Sequence, residues 1–496
     1  MKKTFITLIV LLLTVGINAQ TFEWVKSFGG SSDDAGYSTI VDDSGNVYTT
    51  GNFAGTVDFD PGAGTANLTS AGDYDIFVHK LDASGNFIWA KAFGGSSYDI
   101  GESINVDASG NIYTTGSFEG TVDFDPGAGT ANLTSVGVND VFVQKLDASG
   151  NFIWAKAFGD INSDYGLSIT VDTSGNIYTT GSFIGTVDFD PGAGTANLTS
   201  AGGIDVFVQK LDASGNFIWA KAYGGSSNDE GRSTIVDDSG NIYTTGYFAG
   251  TVDFDPGAGT VNLTSAGGND VFVQKLDASG NFIWAKSFGD SNSDYVRSIT
   301  VDTSGNIYTT GFFEGTVDFD PGVGTANLTS AGGTDIFVQK LDASGNFIWA
   351  KSFGDSYAEC GCSITVDTSG NVYTTGYFAG TVDFDPEAGI ANHTSAGCAD
   401  IFVQKMNQGM PVIVDMGIDI QIKAYPNPSK GLVQLTFDQT LNNVEIILTD
   451  LRGKVVFTKH LDAAVNEQIN IDGSAGIYFL SVKTPQGQSV MKLIKE

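Results

Sequence analysis

Reactive side chains are scarce in this sequence, and carboxylates are plentiful. Three histidines (His79, His393 and His460) and three cysteines (Cys360, Cys362 and Cys398) stand among 496 residues, against 57 aspartates and glutamates. No histidine falls in a nucleophile or metal-hydrolase motif. Glycoside hydrolysis needs two carboxyl groups in contrasting environments, whereas pairs such as Asp58 with Asp60 recur in equivalent copies along the chain. A three-arginine clamp for a sugar acid is excluded as well, because residues 1–417 contain only Arg232 and Arg297. Catalysis usually gathers a few unlike groups, so the chain is expected not to be an enzyme.

What remains is chemistry of binding. Asp34, Asp99, Asp164, Asp229, Asp294 and Glu359 recur in the loops entering one strand of each repeated unit. Closing the units into a ring would gather six carboxylates near a channel mouth, where like charges take up protons or hold a cation. Calcium is the candidate, given its preference for oxygen ligands. The D-x-D-P-G run at Asp58 and Asp60 also opens like a calcium loop but lacks the later acids of an EF-hand. For both series the competing reading is capping of loop amides by Asp side chains. Arg232 and Arg297 occupy one position in adjacent units, and with Tyr98, Tyr165, Tyr295 and Tyr357 they are candidates for holding a ligand, including a carboxylate or sugar acid. For the arginines the alternative is an ion pair with a neighbouring Asp. The cysteines all fall in the last unit. In an exported protein, Cys398 bonded to Cys360 or Cys362 is the expected pairing; free thiols, or a zinc site completed by His393, are the alternatives.

The elements that must position these groups come from a repeat. D-F-D-P begins at Asp58, Asp123, Asp188, Asp253, Asp318 and Asp383, always 65 residues apart, and Trp24, Trp89, Trp154, Trp219, Trp284 and Trp349 keep the same step. Each unit carries four short runs rich in Val, Ile, Thr, Tyr, Phe and Trp, separated by Gly, Asp, Asn and Ser, which read as strands. D-A-S-G-N and its variants supply tight hairpin turns. Runs such as Val141-Phe142-Val143 are apolar on both faces, so each sheet must be covered on both sides. Radial stacking of six four-stranded antiparallel blades does this. The array starts with an orphan fourth strand, Phe22 to Phe28, and stops after a third, Ile401 to Lys405. Pairing the two closes a six-bladed β-propeller and covers both exposed edges. The hairpins on one face are nearly identical, while the loops on the other vary, which marks the second as the recognition face.

Charge divides the chain. Residues 1–417 hold 49 acids and 16 bases, and residues 418–496 hold 8 of each. So acidic a body repels nucleic acid and anionic lipid, and neither is expected as a partner. Lys2, Lys3, an apolar run from Phe5 to Val15 and small residues ending at Ala19 read as a signal peptide over 1–19. No later stretch approaches the roughly 18 apolar residues of a transmembrane helix. The expected organisation is a propeller over 20–406, a linker over 407–420 and a small β-sandwich over 421–496.

The phrases D-x-S-G-N-I-Y-T-T-G-x-F and G-x-F-x-G-T-V-D-F-D resemble the SBBP, or bacterial β-propeller repeat, family over residues 22–405. That resemblance implies the fold and little chemistry. L-D-A-S-G-N-F-I-W is also similar to the tryptophan-docking repeat of quinoprotein dehydrogenases, a likeness of blade architecture. Residues 424–496, with Tyr425-Pro426-Asn427-Pro428, the strand from Gly476 to Val482 and a basic final strand, resemble the type A sorting domain of type IX secretion. This implies export, contact with that secretion machinery, and a cell-surface or released product once the signal peptide and sorting domain are removed. The function expected is binding or adhesion to a glycan or protein. A carbohydrate-active enzyme with a pocket on the variable face, or a structural surface-layer component, are the other readings.

Overall fold

The computed structural model describes residue 24 and residues 26–386, 390–407, 422–450, 455–472, 474, 476–484 and 487–495. The segment read as a signal peptide and most of the 407–420 linker lie outside the described residues. The chain divides into two compact units, Met1–Asn407 and Gln408–Glu496. Every described element is β-structure.

The second blade shows how the repeat folds. An inner strand, Ile100–Val106, pairs with Ile112–Phe118, which pairs with Asp140–Leu146 and then with an outer strand, Phe152–Phe158. Between the second and third strands the chain leaves the sheet as a short ribbon, Thr121–Asp123 with Asn132–Thr134. The D-x-S-G-N turns close through one side chain. Asp107 Oδ1 accepts from the Ser109 and Asn111 amides, while Oδ2 accepts from Asn111 Nδ2 and the Tyr113 hydroxyl. Gly110 supplies the positive φ of 80°, which side-chain-bearing residues avoid. Blade by blade the core repeats an aromatic triad such as Phe118, Phe124 and Phe142, in which the Phe124 ring centroid lies 5.3 Å from Phe118 and 5.1 Å from Phe142.

Adjacent blades are joined at their inner strands. Ser38 Oγ accepts from the Ile104 amide, and the same bond recurs from Ser103 to Ile169, Ser168 to Thr234, Ser233 to Ile299 and Ser298 to Ile364. Gly101 permits the approach. A Cβ there would stand 2.6 Å from Thr50 Oγ1 and 2.7 Å from Ile76 Cγ2 of the preceding blade.

The sixth sheet has three strands, Cys360–Val366, Val372–Phe378 and Asp400–Met406. Its expected fourth strand, Phe22–Phe28, lies partly outside the described residues. The described part packs on blade one as outer strands do on their neighbours. Trp24 lies against Gly85 as Trp89 lies against Gly150, and Phe28 meets Phe59 at 5.3 Å. No strand among the described residues pairs with the free edge of Asp400–Met406. Ile401 and Val403 are 82% and 73% exposed there, whereas their counterparts Val141 and Val143 are fully buried.

The second unit is one five-stranded sheet. A long strand, Leu432–Asp450, pairs with Val455–Asn470 along its length, with Ile422–Tyr425 over its first half and with Gly476–Thr484 over its second. A register break between Thr436 and Leu441 bends it. Val433 and Leu435 from the first half then share a core with Ile446, Leu448, Leu480 and Leu493. The sandwich is thus a single sheet folded on itself.

Candidate ligand-binding site on the inner strands

Every inner strand carries a β-bulge at its third residue. In blade two, Gly101 pairs with Gly116 and Ser103 with Thr115, leaving Glu102 as the extra residue; the same shift occurs in the other five. The bulge explains the repeated T-T-G, because a Cβ on Gly116 would collide with the Ile100 carbonyl. Bulges re-aim side chains. Here the bulged residues are Tyr37, Glu102, Leu167, Arg232, Arg297 and Cys362. No two neighbours in this row are alike except the arginines, although the flanking strands are almost invariant.

The row converges. The Glu102 carboxyl of blade two interacts electrostatically with Arg232 and Glu230 of blade four and Arg297 of blade five. Burial raises its pKa above the ordinary glutamate range, and the two guanidinium groups oppose that shift. Arg232 Nε lies 2.8 Å from Glu230 Oε1, and its guanidinium sits 5.5 Å over the Tyr247 ring. The Tyr247 hydroxyl donates to Glu230 Oε2, and burial followed by that bond pushes its pKa up to about 12. Arg297, exposed, stands 5.6 Å over Phe312. Tyr295 bridges the two arginines' aromatic platforms, 4.9 Å from Tyr247 and 5.1 Å from Phe312, and its hydroxyl accepts from Asn269 Nδ2 at 3.0 Å. Two exposed-to-half-buried cations, two carboxylates and three aromatic faces together suit a polar ligand with a carboxylate and a flat apolar face.

Of the ligand residues expected from sequence, Arg232, Arg297 and Tyr295 are brought together, and Tyr165 begins the inner strand of blade three. Tyr98 and Tyr357 are placed differently. Tyr98 packs on Tyr74 at 5.4 Å, and Tyr357 lies against Gly380. Arg232 does form an ion pair, but its partner is Glu230 and not an aspartate. Glu102, Glu230, Tyr247 and Phe312 were missed. Aligning the six copies and reading down the third column of the inner strand would have found Glu102.

The acids of the expected calcium ring cap loop amides, as the competing reading has it. Both oxygens of Asp99 are taken inside its own blade, by the amides of Gly95 at 2.6 Å and Glu119 at 3.1 Å. Asp34, Asp164, Asp229 and Asp294 each accept two amides in the same way, and Glu359 accepts from Asp355. The D-x-D-P-G acids do likewise: Asp58 Oδ1 accepts from Asp60 and Ala66, and Asp60 Oδ1 from Gly62. Among the described residues no three His, Cys, Asp or Glu side chains stand together as a metal set. His393 faces Phe384.

All three cysteines are free thiols in this structure. Cys398 is exposed and unbonded, whereas Cys360 and Cys362 bring their sulfurs to 3.5 Å. A second acid series also escaped notice. Asp75, Asp140, Asp205, Asp270 and Asp335 are buried near the start of the third strand in blades one to five. They act electrostatically on, or are acted on by, Asp99, Asp164, Asp229, Asp294 and Glu359 of the next blade.

Two clefts lie elsewhere in this unit, one lined by Lys26, Phe28, Asp34 and Phe77, the other by Asp42, Tyr48, Lys80 and Asp107. Most of their lining groups recur in every blade, so they lack the mixture of unlike groups found on the inner strands.

Comparison with known proteins agrees with this architecture. Residues 153–182 and 283–311 match the beta-propeller repeat family, and residues 423–496 match the secretion system C-terminal sorting domain. The chain therefore carries β-propeller repeats and a type IX sorting domain, and the sorting domain implies export to the cell surface or the medium. Among relatives, it is 24% identical over 438 residues to a WD repeat-containing protein of Acanthamoeba polyphaga mimivirus, covering 72% of this chain and 31% of that protein. It is 26% identical over 247 residues to the regulatory protein FlaEY of Caulobacter vibrioides, covering 49% of this chain and 24% of that protein. The chain thus spans about a third or less of the length of these curated relatives. The plexin A4 extracellular region aligns at 7% identity and a TM-score of 0.35, over 95% of this chain and 62% of that one. No helix among the described residues is long and apolar enough to cross a membrane.

Proposed function

We propose that the propeller is a non-catalytic binding module, delivered to the cell surface or released, that takes a glycan or protein ligand bearing a carboxylate on its inner-strand surface. The reading rests on one observation: the six copies diverge at the bulged residue of the inner strand, and the divergent side chains face one another. Arg297 supplies an exposed cation for the carboxylate, the Tyr247, Tyr295 and Phe312 rings a stacking surface, and Glu102 with Glu230 acceptors for hydroxyl groups. Removal of the signal peptide and sorting domain would leave this unit as the working part. A screen of the mature propeller against glycan and protein arrays tests the proposal. Uronic-acid or other carboxylate-bearing ligands are expected among the hits, with or without calcium. An array on which neutral and acidic ligands are equally silent would refute it.

A further inference from the structure

Cys360 and Cys362 are the first and third residues of the sixth inner strand, and Cys362 is its bulged residue. In blade four the same two stations hold Glu230 and Arg232, whose side chains meet at 2.8 Å. The bulge therefore turns first and third side chains toward each other, and in blade six this brings two sulfurs to 3.5 Å. A disulfide needs about 2.05 Å between sulfurs, so the two thiols stand in contact just outside bonding distance. The residue between them must be small, since a Cβ on Gly361 would stand 2.3 Å from Thr310 Oγ1.

We propose that Cys360-Gly361-Cys362 is a redox-active dithiol that closes to an intramolecular disulfide by exchange with an external disulfide. Cys362 is exposed and Cys360 buried, so Cys362 is the attacking group. Two features lower its pKa: the contact with Cys360 and then the Arg297 guanidinium of the neighbouring blade. The Cys362 thiolate attacks one sulfur of R–S–S–R, forming a mixed disulfide and expelling RS⁻. Cys360 then loses its proton and attacks the Cys362 sulfur, expelling the second RS⁻. The protein loses two protons and two electrons, and the external disulfide takes up both and leaves as two thiols. Export supplies an oxidising setting, and the inference stands whether or not the proposed ligand binds.

The test uses the mature chain with oxidised glutathione. Cleavage after Glu359 and Glu387 yields a peptide that contains Cys360 and Cys362 but not Cys398. Oxidation is expected to take the free-thiol count from three to one, to link the two cysteines within that peptide, and to proceed unchanged in Cys398→Ser. Cys360→Ser is expected to stop at a stable glutathione adduct on Cys362. Arg297→Ala should slow exchange at neutral pH while leaving the plateau unchanged. Linkage of Cys398 to either partner, a thiol count that stays at three, or a bridging metal released by acid would each overturn the proposal.

Discussion

At the scale of single residues, the buried acids set a pH dependence. Burial, opposed by backbone amide bonds, pushes Asp99, Asp164, Asp294 and Glu359 up to about 7. It pushes Asp205, Asp229, Asp270 and Asp335 up to about 6. In the unfolded chain such groups titrate near ~4, so the folded state binds protons more tightly. The stabilisation from these groups is complete below about pH 4 and is lost as pH rises through the folded values near 6 to 7. Melting temperature should therefore fall between pH 5 and pH 8; a flat or rising profile would contradict the assignment. Because the loop acids already accept backbone amides, added calcium or a chelator should leave the melting temperature in place, and a calcium-dependent rise would restore the cation reading. The direction of these side chains was not legible in the sequence. Asp99 and its equivalents carry the same letter whether they point to a channel or back into a blade, and the hydrogen-bond partners Gly95 and Glu119 lie on opposite sides of it in sequence.

At the scale of elements, the bulged inner strand does two jobs, packing against the preceding blade and presenting one variable side chain. Gly101→Ala would press a methyl group into Thr50 and Ile76 and is expected to destabilise the propeller by about 1–3 kcal/mol. Ser103→Ala, which removes the bond to Ile169, should cost about 1 kcal/mol. Chemical denaturation measures both, and neutral variants would mean that the blades do not meet at this seam. Much here could be read in advance. The Asp-Gly turns, the four strands and the 65-residue period follow from turn chemistry and alternating β-formers. The bulge could not be read, because it adds no distinctive residue of its own; only the glycine opposite it, as in T-T-G, hints at a close backbone approach. Without the bulge, the meeting of Glu230 with Arg232 and of Cys360 with Cys362 is invisible, which is why Cys398 was matched to a partner instead.

At the scale of the molecule, closure and recognition belong together. The repeat arithmetic leaves one outer strand spare at the start of the array and one missing at its end, and Trp24 and Phe28 already hold outer-strand stations against blade one. Gly36, the equivalent of Gly101, meets only Thr49 at 3.4 Å, so Gly36→Ala should cost well under the Gly101→Ala penalty. Equal penalties would show that blades six and one meet in solution. The claim on which the functional account rests is that the divergent inner-strand side chains are the ligand site. It is tested most directly by titrating the mature protein, Arg297→Ala and the charge-matched outer-strand control Lys221→Ala with a uronic-acid oligosaccharide. The account expects wild type and the Lys221 variant to bind alike and Arg297→Ala to bind at least about tenfold more weakly, a loss of about 1.4 kcal/mol. Equal affinity for all three proteins would contradict it.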